Sequence, residues 1–123
     1  MGERTEPIQV TDATFEREVI RSPLPVVVDF YADWCAPCRV AEPVLRDLSA
    51  QLAGRVKFAK VNIDEAALAT RSYGIHSIPT YVFVEAGQEK GREVGSIDSA
   101  GFRQIMRKFF SKSRVSGGTR ASP

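Results

Sequence analysis

A chain of 123 residues, 43% hydrophobic and 26% charged, has the size and composition of one globular domain whose core needs no staples. The net charge of +2 is unevenly laid out: Lys112, Arg114 and Arg120 lie in a final segment without acids, leaving 14 of the 17 basic and all 15 acidic residues in 1–110. That balance excludes a role in tracking nucleic-acid backbones, which takes more cations than this tail carries, and no stretch approaches the ~20 apolar residues of a membrane span.

Met1 to Val10 carries Glu3, Arg4 and Glu6 and no apolar run of leader length, so a cytoplasmic location is expected. Ile8-Gln9-Val10 reads as an edge strand. Thr11 is a plausible cap for a short helix that turns Phe15 and Val19 inward and stops at Pro23 and Pro25. Val26-Val27-Val28-Asp29-Phe30-Tyr31 is a β-branched and aromatic run suited to a buried central strand. From about Cys35 a helical pattern places Val40, Ala41, Val44, Leu45, Leu48 and Leu52 on one side, with Pro43 as a kink and Gly54 as the stop. Val56 to Val61 is a second strand, and Glu65 to Tyr73 a short helix ended by Gly74. Thr80 to Val84 and Glu89 to Val94 flank a turn at Ala86-Gly87, the pattern of an antiparallel hairpin. A last amphipathic helix begins near Asp98, with Phe102, Ile105, Met106 and Phe109 at helical spacing. Residues 1–110 then form the domain, and 111–123 have the composition of a disordered basic tail. Alternating strands and helices argue for an α/β fold, its sheet mostly parallel at the centre with a terminal hairpin.

Chemistry concentrates at Cys35-Ala36-Pro37-Cys38, where a buried strand gives way to a helix. Free N–H groups and the dipole of a helix N-terminus stabilise an anion, and the thiolate is the reactive form of cysteine. Two intervening residues let the second sulfur reach the first within one helical turn, so a Cys35–Cys38 disulfide can form and break. Pro37 suits the first turn, where its missing N–H costs nothing. A structural zinc site wants four ligands and only His76 could add a soft one, so no metal is expected. Isolated inert cysteines would be commonplace, but the spacing and the neighbouring Trp34 set this pair apart.

Asp29 interrupts an apolar strand where a carboxylate is costly to bury, and Lys60 poses the same question in the next strand. Either could simply face solvent at a strand edge. Taken together, they suggest a partly buried acid–base pair beneath the cysteines, in which a carboxyl of raised pKa could accept a thiol proton. Ile78-Pro79-Thr80 puts a proline immediately before a strand, by default an edge or turn residue.

The blocks V-V-V-D-F-Y-A-D-W-C-A-P-C-R, Pro43, F-A-K-V-N-I-D, Y-G-I-H-S-I-P-T, the turn at Gly87 and Val94-Gly95 resemble the thioredoxin family over roughly residues 8–110. The resemblance implies a thioredoxin fold, a five-stranded mixed β-sheet flanked by four α-helices, and protein-disulfide reduction by dithiol–disulfide exchange. It makes Cys35 the exposed nucleophile, Cys38 the buried resolving thiol, Asp29 the buried acid and Lys60 its partner. Trp34 would cover the site, and Pro79 would be a cis-proline facing the disulfide. The backbone of Ile78 would bind an extended substrate segment, and Ala36, Pro37, Ile78, Pro79 and Gly95 would form a shallow docking surface. It further implies a monomer without bound cofactor, taking electrons from NADPH through a flavin-dependent thioredoxin reductase and passing them to disulfide-containing proteins. Ala36 stands where glycine is common, and His76 and Ser77 where a basic residue and a glycine often stand, so partner choice is expected to respond. The rival readings are a disulfide oxidase or isomerase on the same fold, and a binding or chaperone subunit. Ala36-Pro37 lacks the histidine that oxidases of this fold often carry between their cysteines.

Overall fold

The computed structural model describes residues 5–111 and Val115. Five strands form one mixed sheet: β1 (Ile8–Val10), β2 (Val26–Tyr31), β3 (Lys57–Asn62), β4 (Thr80–Glu85) and β5 (Gln88–Val94), in the order β1-β3-β2-β4-β5. β3 runs parallel to β1 and β2, whereas β4 is antiparallel to both β2 and β5. β2 thus lies at the centre with neighbours on both sides, and Val26, Val27, Val28 and Phe30 are fully buried there. A strand paired on both edges and covered on both faces requires such a run.

Strand alternation divides the core in two. One face turns Val27, Phe58, Tyr81 and Phe83 toward α1 (Ala36–Gln51) and α3 (Ser99–Phe109). Tyr81 and Phe83 meet Phe102 of α3, the first as an edge-on pair with ring centroids 4.8 Å apart. The other face packs Val26, Val28, Phe30, Val61 and Val82 beneath α2 (Ala67–Ser72) and the segment carrying Val19. That segment, Glu16–Ile20, is a π-helix rather than the expected α-helix, so the flanking set is three α-helices and one π-helical turn. Fully burying each large apolar side chain contributes about 1.5–3 kcal/mol, which makes these two layers the main stabilising element.

The helix ends show how the elements are held. Asp98 caps α3, its Oδ1 accepting from the Gly101 N–H at 2.8 Å. α2 is capped from a distance: Asp12, 56 residues away from Leu68, accepts from the N–H groups of Leu68 and Ala69 at 3.0 and 2.9 Å. α1 continues through Pro43. Its buried stripe is Ala41, Leu45 and Leu48, followed by Leu52 at the C-cap; Val40 falls outside it and is 71% exposed, against expectation. The β4–β5 hairpin closes through Ala86-Gly87, both at positive φ (55° and 79°), as a two-residue loop matching the sheet twist demands.

Val115 belongs to the segment expected to be a tail without buried surface, yet it is 4% exposed and packs in the cluster that holds Phe110. The other tail positions beyond Ser111 lie outside the described residues. Ending the chain at Phe110 is therefore expected to cost about 1.5–3 kcal/mol from the burial of Val115, besides the two hydrogen bonds that Ser111 N–H and Oγ donate to Glu85. An unchanged denaturant midpoint would show that Val115 contributes nothing.

Candidate active site

Cys35 is the N-cap of α1, directly after the loop that follows β2, and it is joined to Cys38 by a disulfide with Cα atoms 5.3 Å apart. The Cys38 N–H donates to the Cys35 Sγ at 3.3 Å, so the first turn of α1 aims a free backbone donor at this sulfur. Cys35 was expected to be the exposed member, but at 6% and 5% exposure the two residues are almost equally covered. What separates them is their surroundings. Cys38, with Asp29, Tyr31, Glu42 and Lys60, lines a cavity of about 220 Å³, and Cys35 does not.

Around the disulfide, Ile78 and Ile63 pack against the cysteines and Ala32. Ala36 and Pro37 are exposed, as is Trp34 at 67%, whose indole N–H donates to Asp64 Oδ2 at 2.8 Å and so fixes the ring. The Ile78–Pro79 bond is cis, as the resemblance implied. Pro79 itself is buried, and its carbonyl accepts from the Gly95 N–H at 2.9 Å and ties the two loops together. Thr80 Oγ1 donates to the Ser77 carbonyl at 2.6 Å and closes the same loop. His76 and Ser77 are exposed at its rim.

Beneath the disulfide, Asp29 is 4% exposed and its Oδ1 has no hydrogen-bond partner among the described residues. Burial pushes the carboxyl up to about 7, with the Lys60 cation opposing the rise and the Glu42 anion adding to it. Asp29 and Lys60 are register partners on β2 and β3, as an acid–base pair requires. The ion pair, however, goes elsewhere: Lys60 Nζ donates to Glu42 Oε2 at 2.7 Å and lies 4.5 Å from the centre of the Tyr31 ring. The expected Asp29–Lys60 contact is replaced by a longer-range one because α1 supplies a competing carboxylate. Glu42, four residues after Cys38 on the same helix face, was missed in the sequence, where it reads as one more solvated charge. Tyr81, the register partner of Asp29 on β4, also has a buried hydroxyl without a partner among the described residues, and burial together with Asp29 raises its pKa.

Among the described residues no group of three or more His, Cys, Asp or Glu is placed to hold a metal ion, and no helix is long and apolar enough to cross a membrane. A redox-active disulfide at a helix N-terminus, a cis-proline loop beside it and a buried acid below define a thiol–disulfide oxidoreductase. The thioredoxin family model matches residues 6–108. Thioredoxin 1 of Nostoc sp. is 43% identical over 100 residues, 81% of this chain and 94% of that protein. The thioredoxin of Synechocystis sp. is 42% identical over 82% of this chain and 94% of its own length, and that of Rickettsia bellii 48% over 70% and 82%. The chain belongs to the thioredoxin family, and it is a protein-disulfide reductase working by dithiol–disulfide exchange.

Proposed function

We propose that Cys35 attacks and Cys38 resolves, with Asp29 as the proton acceptor between the two steps. The Cys35 thiolate attacks one sulfur of a substrate disulfide, forming a mixed disulfide and releasing the other substrate sulfur as a thiolate that takes up a proton. Cys38 then gives its thiol proton to the Asp29 carboxylate and attacks Cys35 Sγ. The mixed disulfide breaks, the second substrate sulfur leaves as a thiolate and takes up the proton that Asp29 gives back through water, and the two electrons passed to the substrate dithiol leave Cys35 and Cys38 joined as a disulfide. The observation that carries this assignment is the asymmetry of the pair: a helix-terminal N–H faces Cys35 Sγ, and the cavity holding Asp29 opens on Cys38. A cavity of that size, lined in part by the charged groups of Asp29, Glu42 and Lys60, suits a few water molecules able to relay the proton. Lys60 acts on Asp29 through its charge rather than by contact.

Trp34, Ala36, Pro37, Ile78 and Gly95 form the docking surface in this reading. The backbone of Ile78, held by the Pro79 loop, pairs with an extended substrate strand. Residues 1–110 carry the chemistry, and the basic segment 111–123 is anchored to them through Val115 and Ser111. The chain works as a cytoplasmic monomer in electron transport, without a cofactor of its own, and is returned to the dithiol by NADPH through a flavin-dependent thioredoxin reductase. A coupled assay tests this reading. NADPH oxidation in the presence of such a reductase and a disulfide-bonded protein should depend on this chain and vanish with Cys35→Ser. Oxidation at the same rate without the chain, or undiminished with Cys35→Ser, would contradict it.

A further inference from the structure

Among the described residues, the one ion pair in the cavity beneath the cysteines leaves out the group that the chemistry needs. Lys60 Nζ stands at 2.7 Å from Glu42 Oε2, while Asp29 Oδ1, from the neighbouring strand, has no partner among the described residues. All three line the same cavity as Cys38. Parallel register places Asp29 beside Lys60, so an unrestrained lysine could lean toward that carboxylate. Glu42 reaches the cavity because it lies one helical turn beyond Cys38 on α1. Its side chain is 41% exposed, so one edge of the pair is wet and free to exchange.

We propose that Glu42 is a positioning residue of the exchange reaction: by holding Lys60 on the α1 side of the cavity, it keeps Asp29 uncompensated and able to take the proton of Cys38. This rests on the reading of Asp29 as proton acceptor. Two effects of Glu42 act in the same direction. Its own negative charge opposes ionisation of Asp29, and its grip on Lys60 withholds the nearest compensating cation. An Asp29 paired directly with Lys60 would be a weaker base, ionised well below neutral pH and poorly matched to a thiol. The other charged and titratable groups around Asp29 do not substitute for Glu42. Arg39 Nη1, also on α1, donates to the Asp33 carbonyl at 2.6 Å. Tyr31 takes the side-chain amide of Gln9 on its hydroxyl. Tyr81, from β4, stays neutral in this range because its pKa is raised from the ordinary tyrosine value.

The test is a carboxyl NMR titration of Asp29, run beside the pH dependence of the resolving step in the full chain. Glu42→Gln keeps the shape on a half-exposed helix position and should move both inflections to lower pH by about half a unit or more. Lys60→Gln should move them upward. In the Lys60→Gln background the Glu42→Gln shift should shrink, since only the direct charge effect remains. An Asp29 inflection unmoved by Glu42→Gln, or a shift of equal size with and without Lys60, would overturn the proposal. Asp29→Asn separates the two levels. If the rate inflection survives that change, the proton-acceptor reading fails and the role of Glu42 fails with it. If Asp29→Asn removes the inflection while Glu42→Gln leaves it in place, only the role of Glu42 fails.

Discussion

Replacing Cys38 by serine should convert a turnover reductase into a trap. The first attack needs only Cys35, whose sulfur keeps its place at the N-cap of α1. Release needs the second sulfur, and a hydroxyl cannot stand in for it because an oxygen does not displace a thiolate from a disulfide under these conditions. Mixed disulfides on Cys35 should therefore accumulate, stable until an external thiol is added, and multiple turnover should fall to background. Cys35→Ser should abolish both turnover and trapping. In the reduced wild type, alkylation near neutral pH should label Cys35 first, since the Cys38 N–H supports its thiolate, while Cys38 faces the cavity that holds the Asp29 and Glu42 carboxyls, which oppose a further negative charge. Trapping through Cys38 in the Cys35→Ser protein, or first labelling of Cys38, would reverse the assignment.

Asp29→Asn should uncouple stability from catalysis. The sign follows from the carboxyl being pushed from 3.8 to about 7 in the folded protein. The native state holds a proton that the unfolded chain releases, so the ionisable wild type loses stability as pH rises from about 4 to about 7 and stays low above that. The asparagine variant has no such loss. The two proteins should match in acid, and above neutral pH the variant should be more stable by ~2–4 kcal/mol, the larger figure applying if the new amide finds partners. The resolving step should slow by ~10–100-fold near neutrality and lose its inflection near 7. Denaturant midpoints with the same pH dependence in both proteins would show that Asp29 is not the costly buried charge described here.

Much of this was legible in the residues, for reasons that also mark where legibility ends. β2 could be read because a centrally buried strand leaves only β-branched and aromatic choices, so Asp29 stood out against Val26 to Phe30. The Cys35 motif could be placed at a helix start because a strand run ends just before it and an apolar stripe follows. Val40 lies off the Ala41, Leu45, Leu48, Leu52 stripe, a departure that shows in helical angle and not in a count of apolar residues. Long-range polar contacts carry no local signal. The Asp12 cap on α2 and the Glu42 ion pair with Lys60 join residues 56 and 18 positions apart, and each acid reads locally as surface charge. The cis bond before Pro79 could come only from resemblance, since spacing does not distinguish isomers. Val115 is a single apolar residue in a polar segment, and its burial against the Phe110 cluster has no periodic signature.

The reduction potential of the Cys35–Cys38 couple, measured by equilibration against glutathione buffers of graded ratio, tests the assignment to reduction most directly. A reductase must hold its two electrons at a potential low enough to pass them to substrate disulfides. Ala36-Pro37 supplies no cation between the cysteines to favour the thiolate form further, so the dithiol is not over-stabilised. The couple is expected to be strongly reducing, oxidised by all but the most reducing glutathione mixtures. A couple that stays reduced in oxidising mixtures, in the range of enzymes that insert disulfides, would contradict it.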